Sequence, residues 1–139
     1  GLARDQGMSS KNTVAIQAAV LDKSYKIPYT GKYSWLYAGE AALAFITSVS
    51  NDMVGSNVFN LNGSCETIEN GLKLIKELKP NSSVTCEGQP LPFPPDLDDL
   101  PLRKYVGDYT SVSVQKGIEH TLRAFETLKS EGKCPDVPI

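Results

Sequence analysis

The spacing of apolar residues along the chain predicts four helices. Three of them cover residues 13–22, 39–50 and 65–79, and the fourth begins near Ser113 and ends at a C-cap near Gly132. Each places apolar residues three or four positions apart, as one buried face requires. The positions expected to face inward are Val14, Ala18, Leu21, Ala42, Leu43, Phe45, Ile46, Val49, Ile68, Leu72, Ile75, Leu78, Val114, Ile118, Leu122, Phe125 and Leu128.

Other stretches have the composition of strands. Residues 24–38 are rich in aromatic side chains and are broken by Pro28 and Gly31, which predicts two short extended pieces around a turn. Residues 57–62 alternate apolar and polar positions as a short strand does, and residues 83–86 are a further candidate strand.

The remaining segments complete the predicted organisation. Ser64 is expected to cap the helix over residues 65–79, since its hydroxyl can accept a free amide of the first turn. The five prolines of residues 87–101 exclude regular structure there, which indicates an extended arm or a linker. The alternation of helix and strand predicts an α/β or α+β unit with a small mixed sheet and about four helices.

Composition narrows the class of protein. A chain of 139 residues with 40% hydrophobic and 22% charged residues is expected to form one globular domain. The formal net charge of −2 gives no basic footprint for nucleic acid, and no apolar stretch approaches the roughly 20 residues that span a bilayer. No secretory leader is evident, and the three cysteines have no CxxC spacing, so we expect a cytoplasmic protein with reduced thiols.

His120 and the acidic residues of the proline-rich segment are not assigned a catalytic or metal-binding role. His120 is the only histidine and lies inside the last predicted helix, with no acid or thiol evidently placed to form a triad. A helix-surface or satisfied core histidine is therefore favoured over a catalytic one. Asp96, Asp98 and Asp99 lack the spacing, the Gly and the closing Glu of a calcium loop, so a solvated acidic loop is favoured over a metal site.

Two other groups are candidates for a ligand site. The run Arg-Asp-Gln at residues 4–6 lies between glycines, where it could set a guanidinium and an amide against a ligand; a solvated chain end explains it equally well. Tyr33, Trp35 and Tyr37 alternate, so they would point to one face of a strand. That face could stack a sugar or a base, although a packed core is favoured.

Two motifs are missing from the 139 residues. No G-x-G-x-x-G turn follows a predicted strand, so the sequence carries no dinucleotide-binding fingerprint. No Tyr is followed four residues later by Lys. We therefore assign no catalytic, cofactor-binding or metal-binding residue to the chain.

Four segments, taken in order, resemble the C-terminal part of the NAD-dependent epimerase/dehydratase family of extended short-chain dehydrogenases/reductases. Residues 1–10, GLARDQGMSS, resemble the loop that follows the family's R-P-x-x-x-Y-G strand. Residues 27–46, IPYTGKYSWLYAGEAALAFI, resemble its i-x-x-x-G-x-x-x-x-x-Y-V-x-D-v-A-x-A stretch. Residues 57–63 resemble the strand entering the substrate lobe, and residues 102–125 the closing lG-x-x-P-x-x-x-l-x-x-G-i-x-x-T segment.

The resemblance implies a Rossmann-type enzyme of which residues 1–139 are the substrate-binding lobe and C-terminal helix. The NAD-binding half would lie outside this chain. In the family that half holds NAD or NADP, and its Tyr, helped by Lys, acts as the acid/base while hydride moves to or from the nicotinamide. No cofactor is expected for the 139 residues alone, and the missing half or a second copy is the expected protein partner.

The resemblance also implies positions for the substrate, a sugar nucleotide or a related small molecule. By position, Arg4, Gln6 and Ser9 would lie near the substrate, while Tyr33 and Tyr37 would line the wall of its pocket.

The chain departs from the family pattern at several places. Tyr33 stands where family members that bind UDP-sugars often carry Arg, and Glu40 replaces the Asp of the V-x-D turn. An Arg often found before the Gly of the E-G-Q region is missing, with Cys86 and Glu87 nearby. These differences argue against UDP as the ligand. They leave a second hypothesis open: a stand-alone, non-catalytic α/β binding or interaction module derived from the family.

Overall fold

The computed structural model describes residues 7–52 and 54–137 of the chain. Within this part helices and short strands alternate, which confirms the predicted α/β class, and there is one helix more than the four predicted. No helix in the described ranges is long and apolar enough to cross a membrane. The elements, in chain order, are a 3₁₀ turn at Met8–Ser10, α1 at Lys11–Val20, β1 at Tyr25–Ile27, β2 at Lys32–Trp35, α2 at Ala38–Val49, β3 at Ser64–Thr67, α3 at Ile68–Leu78, β4 at Val84–Cys86, α4 at Leu100–Val106 and α5 at Val114–Ser130.

The four strands form two two-stranded ladders. β1 and β4 pair in parallel, with Ile27 opposite Cys86, and β2 and β3 pair antiparallel, with Trp35 opposite Ser64. The predicted turn between the first two extended pieces is present. Gly31 has a φ of 79° there, a left-handed conformation that favours glycine, and the turn separates β2 from β1, so the two ladders remain distinct.

Helix α1 is the centre of the fold. Every residue from Val14 to Val20 is buried, because β1, α3 and α5 all pack against the helix. The apolar spacing predicted Val14 and Ala18 inside, which is confirmed, whereas Leu21 is the C-cap residue and is only half-buried. A helix covered on every side loses the one-sided pattern, and small side chains such as Ala15 and Ala19 let its neighbours approach closely.

The apolar stripes of α3 and α5 face inward as predicted. Ser113 caps α5, its Oγ accepting from the N–H of Lys116 at 3.3 Å, and Gly132 lies one residue beyond the C-cap with a φ of 67°. Leu78 is the exception, since it ends α3 and is 37% exposed. The fully buried members of the two stripes are Ile68, Ile75, Ile118, Leu122 and Phe125.

Helix α2 presents its apolar face to solvent, contrary to the prediction that this face is inward. Phe45 is 68% exposed, Ile46 65% and Val49 87%. The helix packs on α4 through its opposite side, where Ala44 is buried. Nothing among the described residues covers the exposed side.

The strand predicted over residues 57–62 is wrong, and the strand β3 begins after it. The backbone N–H of Asn62 donates to the Tyr109 hydroxyl at 3.0 Å, and Asn60 Nδ2 donates to the carbonyl of Asp98 at 3.0 Å. These contacts hold the segment against α4 and its flanking loops instead of a neighbouring strand.

The predicted cap at Ser64 is also wrong, because Ser64 belongs to β3. Thr67 caps α3 instead, its Oγ1 accepting a hydrogen bond from the N–H of Asn70 at 3.1 Å. Since Ser and Thr are both good N-caps, strand pairing decided which of the two begins the helix.

Helix α4 lies partly within the segment predicted to lack regular structure. Pro101 falls in its first turn, where a helix does not need the missing N–H. The predicted solvated acidic loop is wrong for Asp99, which is 9% exposed. Its carboxylate accepts from Arg103 Nε at 2.9 Å, from Arg103 Nη2 at 2.8 Å and from the Tyr109 hydroxyl at 2.5 Å.

Burial opposes ionisation of Asp99, but the hydrogen bonds from Arg103 and Tyr109 outweigh it and hold the pKa of the carboxyl below its usual value. Burial and the adjacent Asp99 raise the pKa of Tyr109, so its hydroxyl stays protonated and keeps donating. The three side chains therefore lock α4 to the segment that precedes α5.

Candidate functional site

A cleft of about 160 Å³ lies between the first turns of α1, α2 and α5 and the end of β2. Its walls combine hydroxyl-bearing, aromatic and aliphatic side chains, and no described lining residue is Asp, Glu, Lys, Arg or His. The lining residues are Ser9, Asn12, Thr13, Ile16, Tyr33, Ser34, Trp35, Leu36, Tyr37, Ala38, Val112, Ser113, Val114, Gly117, Ile118 and Thr121.

Strand β2 and the residues after it provide the aromatic wall. The Tyr33 hydroxyl donates to the carbonyl of Ser9 at 2.8 Å, which ties the 3₁₀ turn to β2. The Tyr33 and Trp35 rings meet edge to face with centroids 5.5 Å apart, and Trp35 Nε1 donates to the carbonyl of Glu66 at 3.2 Å. Burial raises the pKa of Tyr33 although the contact with Ser9 lowers it, so the hydroxyl is a neutral donor near pH 7.

A smaller cavity of about 110 Å³ borders the cleft and shares Ser9, Tyr33 and Ser34 with it. Its outer wall comes from the proline-rich segment, including Phe93 and Pro94. The segment is therefore an extended arm that lies along β2, one of its two predicted forms. Tyr33 stands between the two cavities.

The wall at α1 contains a buried amide. Asn12 is 6% exposed, and its Oδ1 accepts from the Tyr29 hydroxyl at 3.2 Å. Asn12 Nδ2 is buried and has no hydrogen-bond partner among the residues that the structure describes. Burial, followed by the proximity of Tyr33, raises the pKa of Tyr29 well above its usual value, so its hydroxyl keeps the proton that it donates.

Glu40 fixes the opposite wall. It is 5% exposed, and its Oε1 accepts from the N–H of Val112 at 2.6 Å, which ties the first turn of α2 to the segment before α5. Ser113, the next residue, is the N-cap of α5. The Tyr37 ring meets the imidazole of His120 at 5.6 Å between centroids, so the N-cap residue of α2 also contacts α5.

Three of the predicted substrate-binding residues lie together on this cleft: Ser9, Tyr33 and Tyr37. Their proximity follows from the 3₁₀ turn and β2 facing each other. Arg4 and Gln6 lie outside the described residues. The role of all five in binding substrate stays a prediction.

Sequence reasoning missed Asn12, Tyr29 and Glu40 as parts of the site. Asn12 directly precedes the predicted start of a helix, and Tyr29 belongs to the aromatic cluster, so both stretches carried a signal. The burial of Asn12 and Glu40 carried none, since Asn and Glu are usually exposed and only tertiary packing buries them.

The remaining reactive side chains form no second site in the described ranges. His120 is exposed on α5, as one of its two favoured interpretations predicted, and no group of three or more His, Cys, Asp or Glu residues is placed to hold a metal. Cys65, Cys86 and Cys134 are free and partly buried, and burial raises the pKa of the Cys86 thiol, with Glu69 adding to the effect.

Comparison with known proteins gives evidence on the fold alone. No family model matches the chain, and no curated protein matches it. Eleven chains of solved structures do match. One of them is described as a partial consensus L-threonine 3-dehydrogenase (E-change), with a TM-score of 0.72 and 18% sequence identity.

The match covers 86% of this chain and 43% of the dehydrogenase chain. The chain thus spans less than half the length of the structure that it matches. At 18% identity the likeness shows that the two chains share a fold and nothing beyond the fold.

Proposed function

We propose that the chain is the substrate-binding part of an NAD(P)-dependent enzyme of the short-chain dehydrogenase/reductase kind, acting on a sugar nucleotide or a related small molecule. The observation that carries this proposal is the fold match to part of a dehydrogenase, at a TM-score of 0.72 over 86% of the chain. The reaction catalysed by the whole enzyme would be epimerisation, dehydration or reduction, as in the family that the sequence resembles.

The cleft supports this role by its shape and chemistry. It is concave, partly apolar and lined by several hydroxyl groups, which is the usual character of a small-molecule site. Ser9, Tyr33 and Tyr37 line the same space, and the Tyr33 hydroxyl donates to the Ser9 carbonyl. In this proposal they orient the substrate, while the reacting groups come from the nucleotide-binding half.

NAD or NADP belongs to that other half in the proposed enzyme. Within the described residues no strand leads through a glycine-rich turn into a helix: Pro28 follows β1, and the proline-rich arm follows β4. Such a turn is what brings backbone amides and a helix N-terminus to the dinucleotide phosphates. The residues that the structure describes therefore do not fit the cofactor.

The exposed face of α2, formed by Leu43, Phe45, Ile46 and Val49, is the proposed contact with the nucleotide-binding half. The chain corresponds to 43% of the matched dehydrogenase, so most of that fold has no counterpart here. Burying one large apolar side chain contributes roughly 1.5–3 kcal/mol, and contiguous apolar faces on proteins usually mark an interface. A second copy of this chain is the competing occupant.

The proposal is tested through Trp35, the only tryptophan of the chain and a lining residue of the cleft. Its fluorescence would be followed while the 139-residue chain is titrated with UDP-glucose, dTDP-glucose, GDP-mannose and NAD⁺. We expect a saturable change with one or more of the sugar nucleotides and none with NAD⁺. No change in Trp35 fluorescence with any of the three sugar nucleotides, or a saturable change with NAD⁺, would contradict the proposal.

A matched pair of variants assigns the signal to the cleft. Tyr37→Phe removes a hydroxyl from the lining, and Tyr105→Phe removes one from α4, outside the cleft. We expect Tyr37→Phe to weaken binding about three- to tenfold, the value of one hydrogen bond, and Tyr105→Phe to leave it unchanged. Equal effects of the two substitutions would place the ligand elsewhere.

A further inference from the structure

Three helix N-termini meet at the cleft. Asn12 and Thr13 come from the first turn of α1, Tyr37 and Ala38 from the start of α2, and Ser113 and Val114 from the start of α5, and all of them line the cleft. Each helix N-terminus carries partial positive charge from its aligned peptide dipoles and first-turn N–H groups that lack helical partners. The cleft is therefore electropositive without any described Lys or Arg in its lining.

The side chains at two of these helix starts do not cap them. Neither α1 nor α2 has a side-chain hydrogen bond at its N-cap, and the hydroxyl of Ser10, the N-cap of α1, donates instead to the carbonyl of Gly7 at 2.7 Å. Glu40 is the acid of the first turn of α2, but its carboxylate accepts from Val112. Within the described residues, the N-cap side chains of α1 and α2 therefore accept no hydrogen bond from the first-turn N–H groups of their helices.

Asn12 gives independent evidence for an acceptor in the cleft. Its Nδ2 is a buried donor with no partner in the described part of the chain, although the residue lines the cleft and is 6% exposed. Tyr29, itself buried, engages the other end of the amide and holds the side chain in place. A buried donor without an acceptor is costly, and native proteins keep few of them.

We propose that the cleft binds an oxyanion of the ligand, a phosphoryl or carboxylate group, with Asn12 as the side-chain donor and Tyr29 as the residue that positions it. The identity of this group as part of a substrate rests on the proposed function. A diphosphate and a carboxylic acid are the two possible sources of the oxyanion.

The first test uses simple anions on the 139-residue chain. Inorganic pyrophosphate represents the phosphoryl source, sodium acetate the carboxylate source, and D-glucose is the neutral control. The side-chain ¹⁵N–¹H₂ signals of Asn12 and the fluorescence of Trp35 report on the cleft. We expect saturable changes in both with one of the anions, weakened by added KCl, since the attraction is electrostatic. No change with either anion, or an equal change with D-glucose, would overturn the proposal.

The second test removes the donor. The double variant Asn12→Leu/Tyr29→Phe replaces both polar groups together, so that neither is left unpaired. We expect anion affinity to fall at least tenfold with little loss of thermal stability, and Tyr29→Phe alone to give a smaller loss with a broadened Asn12 amide signal. Unchanged affinity in the double variant would overturn the proposal.

The matched control is Ser82→Ala. Ser82 Oγ is the other buried side-chain atom without a partner in the described residues, and Ser82 is not a lining residue of the cleft. We expect this variant to bind the anion like the unmodified chain. An equal loss of affinity in Ser82→Ala and in the double variant would show that the effect is one of folding, and it would overturn the assignment of Asn12.

The tests separate this inference from the proposed function. If pyrophosphate binds through Asn12 while no sugar nucleotide binds, the oxyanion site stands and the sugar-nucleotide function fails. If a sugar nucleotide binds with equal affinity to the double variant and is not displaced by pyrophosphate or acetate, the function stands and the oxyanion site fails.

Discussion

The indole of Trp35 lies directly over the α-carbon of Gly71. A β-carbon at position 71 would come within 2.3 Å of Trp35 Cζ2 and within 2.5 Å of Cη2, closer than any real contact. Gly71 is buried in α3, and Trp35 packs against the two hydrophobic clusters on either side of α1. The absence of a side chain at Gly71 therefore makes room for the Trp35 ring in the aromatic wall of the cleft.

Gly71→Ala is expected to destabilise the chain by about 1–3 kcal/mol, the usual cost of overpacking a core, despite the better helix propensity of Ala. Gly117→Ala in α5 is the matched control, because its β-carbon would lie 3.7 Å from Tyr37 Cδ2, an ordinary contact. That variant should gain about 0.4–1 kcal/mol. Urea denaturation followed by Trp35 fluorescence measures both, and equal stability of the two variants would contradict the packing described.

Asp99 is expected to contribute more to stability than its acidic neighbours. Asp99→Ala removes three hydrogen bonds from charged or buried partners and should cost about 2–4 kcal/mol. Asp96→Ala, on the exposed part of the same segment, should change stability by less than about 0.5 kcal/mol. Thermal or urea unfolding gives both values, and similar losses for the two would show that Asp99 is not specially held.

The lowered pKa of Asp99 predicts an acid-dependent loss of stability. Because the carboxyl binds protons less readily in the folded chain, the unfolded chain takes up more protons as pH falls below about 4, the usual pKa of Asp. The stabilisation is therefore present above that pH and is lost as pH falls through the folded pKa. Melting temperatures between pH 7 and pH 3 should fall more steeply for the unmodified chain than for Asp99→Asn. Parallel curves would contradict the pKa assignment.

The exposed face of α2 is expected to make the isolated chain associate with itself. Phe45→Lys/Ile46→Glu should give a monomer at all concentrations without lowering the melting temperature, since both side chains are already about two-thirds exposed. Leu78→Lys, on the exposed end of α3, is the control and should sediment like the unmodified chain. Analytical ultracentrifugation over a range of concentrations measures the oligomeric state of the unmodified chain and of both variants. An unmodified chain that stays monomeric and melts cooperatively above about 65 °C would show that the face needs no cover.

Periodicity predicted those parts of the fold that depend on local pattern. The sequence predicted the apolar stripes of α3 and α5, the start of the last helix near Ser113 and the turn before β2, because each is determined within a few residues. The start of α3 was predicted wrongly, since Ser64 and Thr67 are both good caps and only pairing with β2 selects Thr67. Helix α4 was not predicted, because prolines were taken to exclude regular structure although the first turn of a helix tolerates them.

Only some residues of the candidate site could be predicted from the sequence. Alternation grouped Tyr33 and Tyr37 on one face, for which a packed core was favoured, and the family resemblance placed Ser9, Tyr33 and Tyr37 near the substrate. The structure gathers these three on one cleft. The buried amide of Asn12 had no sequence signal, because its burial depends on packing against Tyr29, which lies on a different element. The spacing of residues along a sequence predicts local elements and does not predict contacts between distant segments.

The central claim is that these residues act as the substrate-binding part of an NAD(P)-dependent enzyme. The most direct test is to capture the native protein from the cells that make it, with an antibody raised against the 139 residues, and to determine its intact mass and any bound nicotinamide nucleotide. The account predicts an assembly in which this chain is joined to, or held by, a nucleotide-binding half, and from which NAD or NADP is released on denaturation. A free 139-residue species without nicotinamide nucleotide would contradict it and would favour the stand-alone binding module.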